Sequence, residues 1–233
     1  MDSEKDNWLP LESNPDVFNT TLGKLGFDPS VLVFQDVYGT EDWAFAMVGT
    51  PVVGVLFCFG MGEHHKKANL PDPTPKDQIP EDLFYMHQIS GNACGMVGLY
   101  HIVGNLQADM QKNYIKEDGI LGRFFANAKG QSYADLAKAF DGDKELRDAH
   151  GTSVQMGQSE VQSKVNNHFV AFVHQDGLLF ELDGRKSGPI RYGSTTPETL
   201  LADACAVIKT EYMEKDPENP NMAIMAFAGP PPS

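Results

Sequence analysis

The run "NHFVAFVHQDGLLFELDGRK", residues 167–186, constrains the fold more than any other stretch of the chain. Two apolar segments flank Asp176-Gly177, and an Asp-Gly pair so placed is the strongest short-range signal for a two-residue β-hairpin. The turn then sets the register. With Gln175 opposite Leu178, counting outward puts Val170 opposite Asp183. His168, two residues from Val170, shares a sheet face with Asp183 as a diagonal neighbour about 7 Å away between backbones, within side-chain reach. A slip of one residue would put the two on opposite faces. In that register Asp183 can accept from one ring nitrogen of His168 and fix its tautomer, leaving the other nitrogen for a nucleophile. Asp183 suits plain turn chemistry in "DGRK" equally well.

Residues 44–62, "AFAMVGTPVVGVLFCFGMG", carry no charge over nineteen positions, nominally enough to span a membrane. Pro51 and several glycines break the run and the valines favour a strand, so it reads as a short helix, a turn and a buried strand from Val52 to Phe59. Helices are expected from Asn14, which caps Pro15 and an apolar stripe, over 95–106, in one or two pieces over 118–140, and over 197–213. Strands are expected in "VLVFQDVYG" and "NMAIMAFAG". Residues 71–82 are a Pro-rich, charged loop. The polar stretch 147–165 is long for a loop inside a compact domain, and such loops are often lids or binding elements. No repeat or clean linker divides the 233 residues, so one α+β domain over 1–233 is the economical reading.

The chemistry centres on "QISGNACGMVGLYHIVGN". "SGNACG" is small and turn-prone, and the helix behind it is apolar on nearly every face, the mark of a central buried helix. Cys94 would begin that helix, where unpaired amides and the helix dipole stabilise a thiolate. Most free cysteines are buried small hydrophobes, and Cys58 in mid-strand and Cys205 in mid-helix fit that description. Gln88, six residues earlier, can turn its amide N–H toward an oxygen on the carbon that Cys94 attacks, with the Cys94 backbone N–H as second donor. A thiol nucleophile needs a base. His64 and His65 lie in the solvated "EHHKK", His87 and His150 read as loop residues, and His101, two helical turns beyond Cys94, reads as packed. His174 borders the hairpin turn, so His168 is left at the start of the first hairpin strand.

Together these segments resemble the ubiquitin carboxyl-terminal hydrolase family, the single-domain knotted thiol hydrolases. The resemblance is carried by "WLPLESNP", "DVYG", "Q…NACG", "HF.AFVH.DG" and "ELDGRK", in the family's order and at its approximate spacing over essentially the whole chain. It implies Cys94 as nucleophile, His168 as general base and then acid, Asp183 as the residue orienting it and Gln88 as oxyanion donor. It implies a central antiparallel sheet with helices on both sides, related to papain-like proteases, in a knotted chain. The substrate implied is ubiquitin, or its relative Nedd8, cut after the terminal glycine. Glu12 and Asp36 stand at family-like positions to pair with arginines of the tail, though helix-start and strand-end solvation explains both acids as well. The segment 147–165 would cross over the active site, so that small adducts or flexible tails pass and folded proteins do not.

Composition bounds the alternatives. The net charge of −14 repels phosphates and leaves no basic face for nucleic acid. Three distant cysteines suggest free thiols in a reducing compartment, the cytoplasm or also the nucleus. The acidic start is no secretory signal. No membrane partner, cofactor or metal is implied, and a monomer is expected; without a C-x-x-C pair a structural zinc site has no ligand set. A catalytically weak ubiquitin-binding protein is the alternative to the hydrolase, and a thiol protease of ordinary peptides a third reading.

Overall fold

The computed structural model describes residues 8–62, 71–155, 157 and 166–232. His64 and His65 lie outside them. Six strands form one sheet: β1 (Val33–Val37), β2 (Val52–Gly60), β3 (Asn167–Gln175), β4 (Leu178–Leu182), β5 (Ile190–Ser194) and β6 (Met222–Ala228). Their order is β1-β6-β2-β3-β4-β5, and every adjacent pair is antiparallel. The hairpin has the expected register, from Gln175 opposite Leu178 to Ala171 opposite Leu182. Asp176 (φ 52°) and Gly177 (φ 76°) both lie in the left-handed region, as a type I′ turn requires. The strand β5 has no counterpart in the sequence reading. "IRYGS" is a short edge segment in which only Ile190 is buried and the rest are half-exposed or exposed, and its pairing shifts register between Leu179 and Phe180, so it carries little apolar alternation.

The helices are α1 (Pro15–Lys24), α2 (Asp42–Phe45), α3 (Cys94–Gly104), α4 (Ala108–Tyr114), α5 (Ile120–Ala126), α6 (Tyr133–Gly142), α7 (Lys144–Val154) and α8 (Leu200–Ile208), which runs on into a π-turn at Lys209–Met213. The Asn14 side chain accepts from the Asp16 amide and Pro15 takes the first position of α1, as the sequence dictates. One core lies between the α1 and α3 side and the sheet, with Phe18, Phe34, Leu56, Phe169 and Phe227. The other lies under α8, with Val55, Phe57, Val170 and Phe172. The central strand β2 is therefore buried on both faces, which is why its sequence is a continuous apolar run. No helix of the described residues is long and apolar enough to cross a membrane; the uncharged run 44–62 is the end of α2, a turn and β2. The stretch 147–165 divides: residues 147–154 continue α7, where Leu146, His150 and Val154 recur on one buried face, and 156 and 158–165 lie outside the described residues.

Candidate active site

Four of the residues singled out in the sequence come from three separate segments that the fold brings together. Cys94 is the first residue of α3. The chain reaches it through Asn92, whose φ of 62° is tolerated by asparagine better than by most residues. As first residue of the helix, Cys94 has a backbone N–H with no intrahelical acceptor. The helix behind it is buried from Cys94 to Val103, which explains the absence of helical periodicity there. The amino-terminal segment braces this entry: the Trp8 amide donates to the Gly91 carbonyl at 3.2 Å. A Cβ on Gly95 would lie 3.2 Å from the side chain of Leu11, so only glycine permits that approach without displacement.

His168 and Asp183 meet as the hairpin register requires. His168 Nε2 lies 2.7 Å from Asp183 Oδ1, and both side chains are buried. The Arg185 amide also donates to Asp183 Oδ1, at 2.9 Å. The His168 ring packs edge-on against Phe59. Its other nitrogen, Nδ1, has no nitrogen or oxygen partner and faces the Cys94 thiol. Burial alone would raise the Cys94 pKa, but the hydrogen bond and charge of His168 outweigh it and hold the thiol below its usual range. Burial would likewise lower His168, yet Asp183 and Cys94 push it up to about 9. Asp183 is held down by His168 against its own burial. Cys94, His168 and Asp183 form one coupled set, whose protons belong to the set rather than to one residue. The other two cysteines differ: burial drives Cys58 and Cys205 each up to about 12.

Gln88 lies beside this chain. Its backbone amide donates to the Gly184 carbonyl at 2.7 Å. Its side-chain nitrogen donates to Ser90 O at 3.0 Å, which leaves a second N–H hydrogen. His101 ties the parts together. It is fully buried, accepts from the Met86 amide through Nε2 and donates from Nδ1 to Leu182 O. Burial takes its pKa down to about 4, so the ring is neutral. It thus links α3 to the segment before Gln88 and to the end of β4, in line with a packed role. His150 corrects the sequence reading. It is not in a loop but buried in α7, where Nε2 donates to Leu9 O at 2.7 Å and the ring packs edge-on against Trp8.

Glu12 and Asp36 lie together, away from the triad, on a concavity of about 440 Å³. Asp16 joins them there, with Gln35 and Tyr38. Partial burial and then the Asp16 charge push the Asp36 carboxyl up, as expected where carboxylates crowd. Asp16 escaped the sequence reading because an acid in the first turn of a helix looks like a dipole partner; only the approach of β1 to α1 adds it to the group. Glu12 also lies beside Gly157, beyond the end of α7, where an added Cβ would lie 2.7 Å from its carboxylate. Among the described residues, no cluster of three or more ligands could hold a metal ion.

The sequence profile described as "Ubiquitin carboxyl-terminal hydrolase, family 1" matches residues 8–214. Ubiquitin carboxyl-terminal hydrolase 3 of Arabidopsis thaliana is 36% identical over 228 residues, covering 97% of this chain and 96% of that protein. A ubiquitin carboxyl-terminal hydrolase of Drosophila melanogaster is 36% identical over 226 residues, covering 94% of this chain and 96% of its own. Among solved structures, the Trichinella spiralis UCH37 catalytic domain bound to ubiquitin vinyl methyl ester superposes with a TM-score of 0.77 at 19% identity, covering 96% of each chain.

Proposed function

Since this chain belongs to the ubiquitin carboxyl-terminal hydrolase family and is a cysteine protease of that class, we propose that it cleaves the bond after the terminal glycine of ubiquitin, with Cys94, His168, Asp183 and Gln88 as its machinery. The Cys94 thiolate attacks the glycine carbonyl carbon. The oxyanion that forms is met by the free N–H of Gln88 and the Cys94 amide. His168, protonated, gives its proton to the departing amine, and the C–N bond breaks to leave a thioester on Cys94. Neutral His168 then takes a proton from water, whose hydroxide displaces the sulfur and releases the carboxylate. Asp183 holds the imidazolium in place throughout. The observation that carries this reading is the buried thiol held below its usual range by His168 while both other cysteines are raised.

Ubiquitin with an electrophilic terminus tests it. Incubation is expected to add one ubiquitin mass to the protein, and Cys94→Ala is expected to abolish the addition. Tight binding without addition would favour the catalytically weak binding protein. Cleavage of short peptides without ubiquitin would favour a general thiol protease.

The pH profile follows from the same pair. The reactive form needs Cys94 ionised and His168 protonated. Activity is therefore expected to rise as Cys94 loses its proton, below the usual thiol range, and to fall as His168 loses its own, near pH 9. A plot of kcat/KM against pH that still rises above 9 would show that His168 is not the acid.

The finer reading, with Nedd8 accepted beside ubiquitin and small adducts or flexible tails released in preference to folded proteins, belongs to the same proposal. The free thiols, and a thiolate that oxidation would disable, favour a reducing compartment such as cytoplasm or nucleus. Glu12 and Asp36, with Asp16 beside them, are assigned to the basic tail residues of the substrate. Neutralising Glu12 and Asp36 together is expected to raise KM several-fold at low salt and much less at 0.5 M salt, because exposed ion pairs are screened. An effect that does not change with salt would point to folding damage.

A further inference from the structure

One buried carboxylate takes no part in the chemistry above. Glu181, two residues before Asp183 on β4, has no exposed surface. Its Oε1 accepts from Lys186 Nζ at 2.7 Å, and its Oε2 accepts from the Tyr192 hydroxyl of β5 at 2.8 Å. The Tyr212 hydroxyl faces it from the π-turn after α8. An ion pair this deep is no ready source of stability, since a well-packed apolar pair of similar volume is often as good or better. Its placement points to a geometric use.

Asp183 is the first residue beyond β4, and the chain turns directly after it. The turn closes with the Lys186 amide donating to Asp183 O at 2.9 Å. The Tyr85 hydroxyl lies 2.7 Å from Asp183 O and 2.6 Å from Lys186 O, donating to one at a time. Lys186 then folds back along the strand to Glu181. Backbone and side chain thus tie position 186 to positions 183 and 181. Glu181 and Asp183 share a sheet face, so the anchor and the aimed carboxylate stand side by side. The charged and titratable groups facing Asp183 are His168, the Arg185 segment, Lys186, Tyr85, His101 and Tyr212; those facing Glu181 are Lys186, Tyr192, Tyr212 and Tyr85.

We propose that the Glu181–Lys186 ion pair is a positioning clasp for the active-site carboxylate, fixing the turn 183–186 that aims Asp183 at His168. The inference rests on the roles given above to Cys94, His168 and Asp183. Loosening the clasp weakens the support of the imidazolium and, through it, of the thiolate.

The test compares Lys186→Met, Lys186→Arg and the double variant Glu181→Leu/Lys186→Met. Two readouts are used: the pH dependence of Cys94 alkylation by iodoacetamide, which needs no ubiquitin, and kcat and KM for a ubiquitin C-terminal amide. Lys186→Met is expected to move the acid limb of alkylation to higher pH and to lower kcat about tenfold with KM unchanged, a fraction of the cost of a full 1 Å misplacement. Lys186→Arg is expected to recover most of both. The double variant is expected to regain any thermal stability lost by Lys186→Met and to keep the shifted limb and low kcat. A wild-type limb and kcat in the double variant would overturn the clasp and leave the pair a structural one. The double variant also decides the matter if Lys186→Met does not fold. Wild-type protein that alkylates as expected but leaves the ubiquitin amide intact would sink the substrate reading alone.

Discussion

His168→Asn is expected to lower kcat for a ubiquitin C-terminal amide by about 10⁴- to 10⁶-fold, the range seen when one member of such a triad is removed. The affinity for ubiquitin is expected to stay within about twofold, because the ring is buried and offers the substrate little surface. Asparagine can still donate to Asp183, so the hairpin keeps a partner for that carboxylate. It cannot carry a proton between sulfur and leaving amine. It also removes the hydrogen bond and charge of His168 that hold the thiol down, leaving burial opposed only by the Phe169 backbone and the Arg185 charge, so Cys94 rises. The acid limb of Cys94 alkylation is therefore expected to move to higher pH together with the loss of turnover. Stopped-flow alkylation and steady-state hydrolysis on one preparation check both. Turnover within tenfold of wild type would clear His168 of the role.

Gly184→Ala is the second large effect, and it acts without touching a reacting group. A Cβ at position 184 would lie 2.9 Å from Val97 Cγ1, 3.0 Å from Gln88 Cβ and 3.1 Å from Gln88 N. Those atoms belong to the helix that Cys94 opens and to the segment that carries Gln88, while position 184 itself follows Asp183. One methyl group thus wedges apart all three carriers of the site, and the 2.7 Å hydrogen bond from the Gln88 amide to Gly184 O goes with them. A displacement near 1 Å is expected to cost about 10²-fold in kcat. Overpacking of this kind costs about 1–3 kcal/mol, and each kcal/mol lowers the melting temperature by about 2–4 °C at this chain length. Adding Val97→Ala removes the Val97 methyl contact but not the Gln88 contacts. The double variant is expected to regain stability and to remain slow. Hydrolysis at the wild-type rate in Gly184→Ala would show that the turn yields without moving Gln88.

Parts of the site were legible because they depend on short stretches of chain. The hairpin register follows from one dipeptide and a period of two, and it places His168 against Asp183 as found. The position of Cys94 at a helix start follows from small residues before a long apolar run. Other parts were not legible. Residues 147–154 read as loop because α7 has few apolar residues, yet Leu146, His150 and Val154 share one buried face. His150 reads as a loop residue because a histidine buried as a neutral ring carries no local mark; its partner is the Leu9 carbonyl, 141 residues away in sequence. Asp16 and Glu181 were passed over for a related reason, since an acid shows its purpose only through what it faces.

The amino-acid order alone determined the alternation, turns and helix starts that place a histidine and an aspartate on one hairpin face and a cysteine at the mouth of a buried helix. These are local properties, set by backbone geometry and apolar spacing. The tertiary structure alone decided that the three would meet, that the pKa of the thiol would be lowered rather than raised, and that Asp16 would join Glu12 and Asp36. Proximity between distant segments and the cost of burying charge are properties of the packed molecule, and no window of sequence contains them.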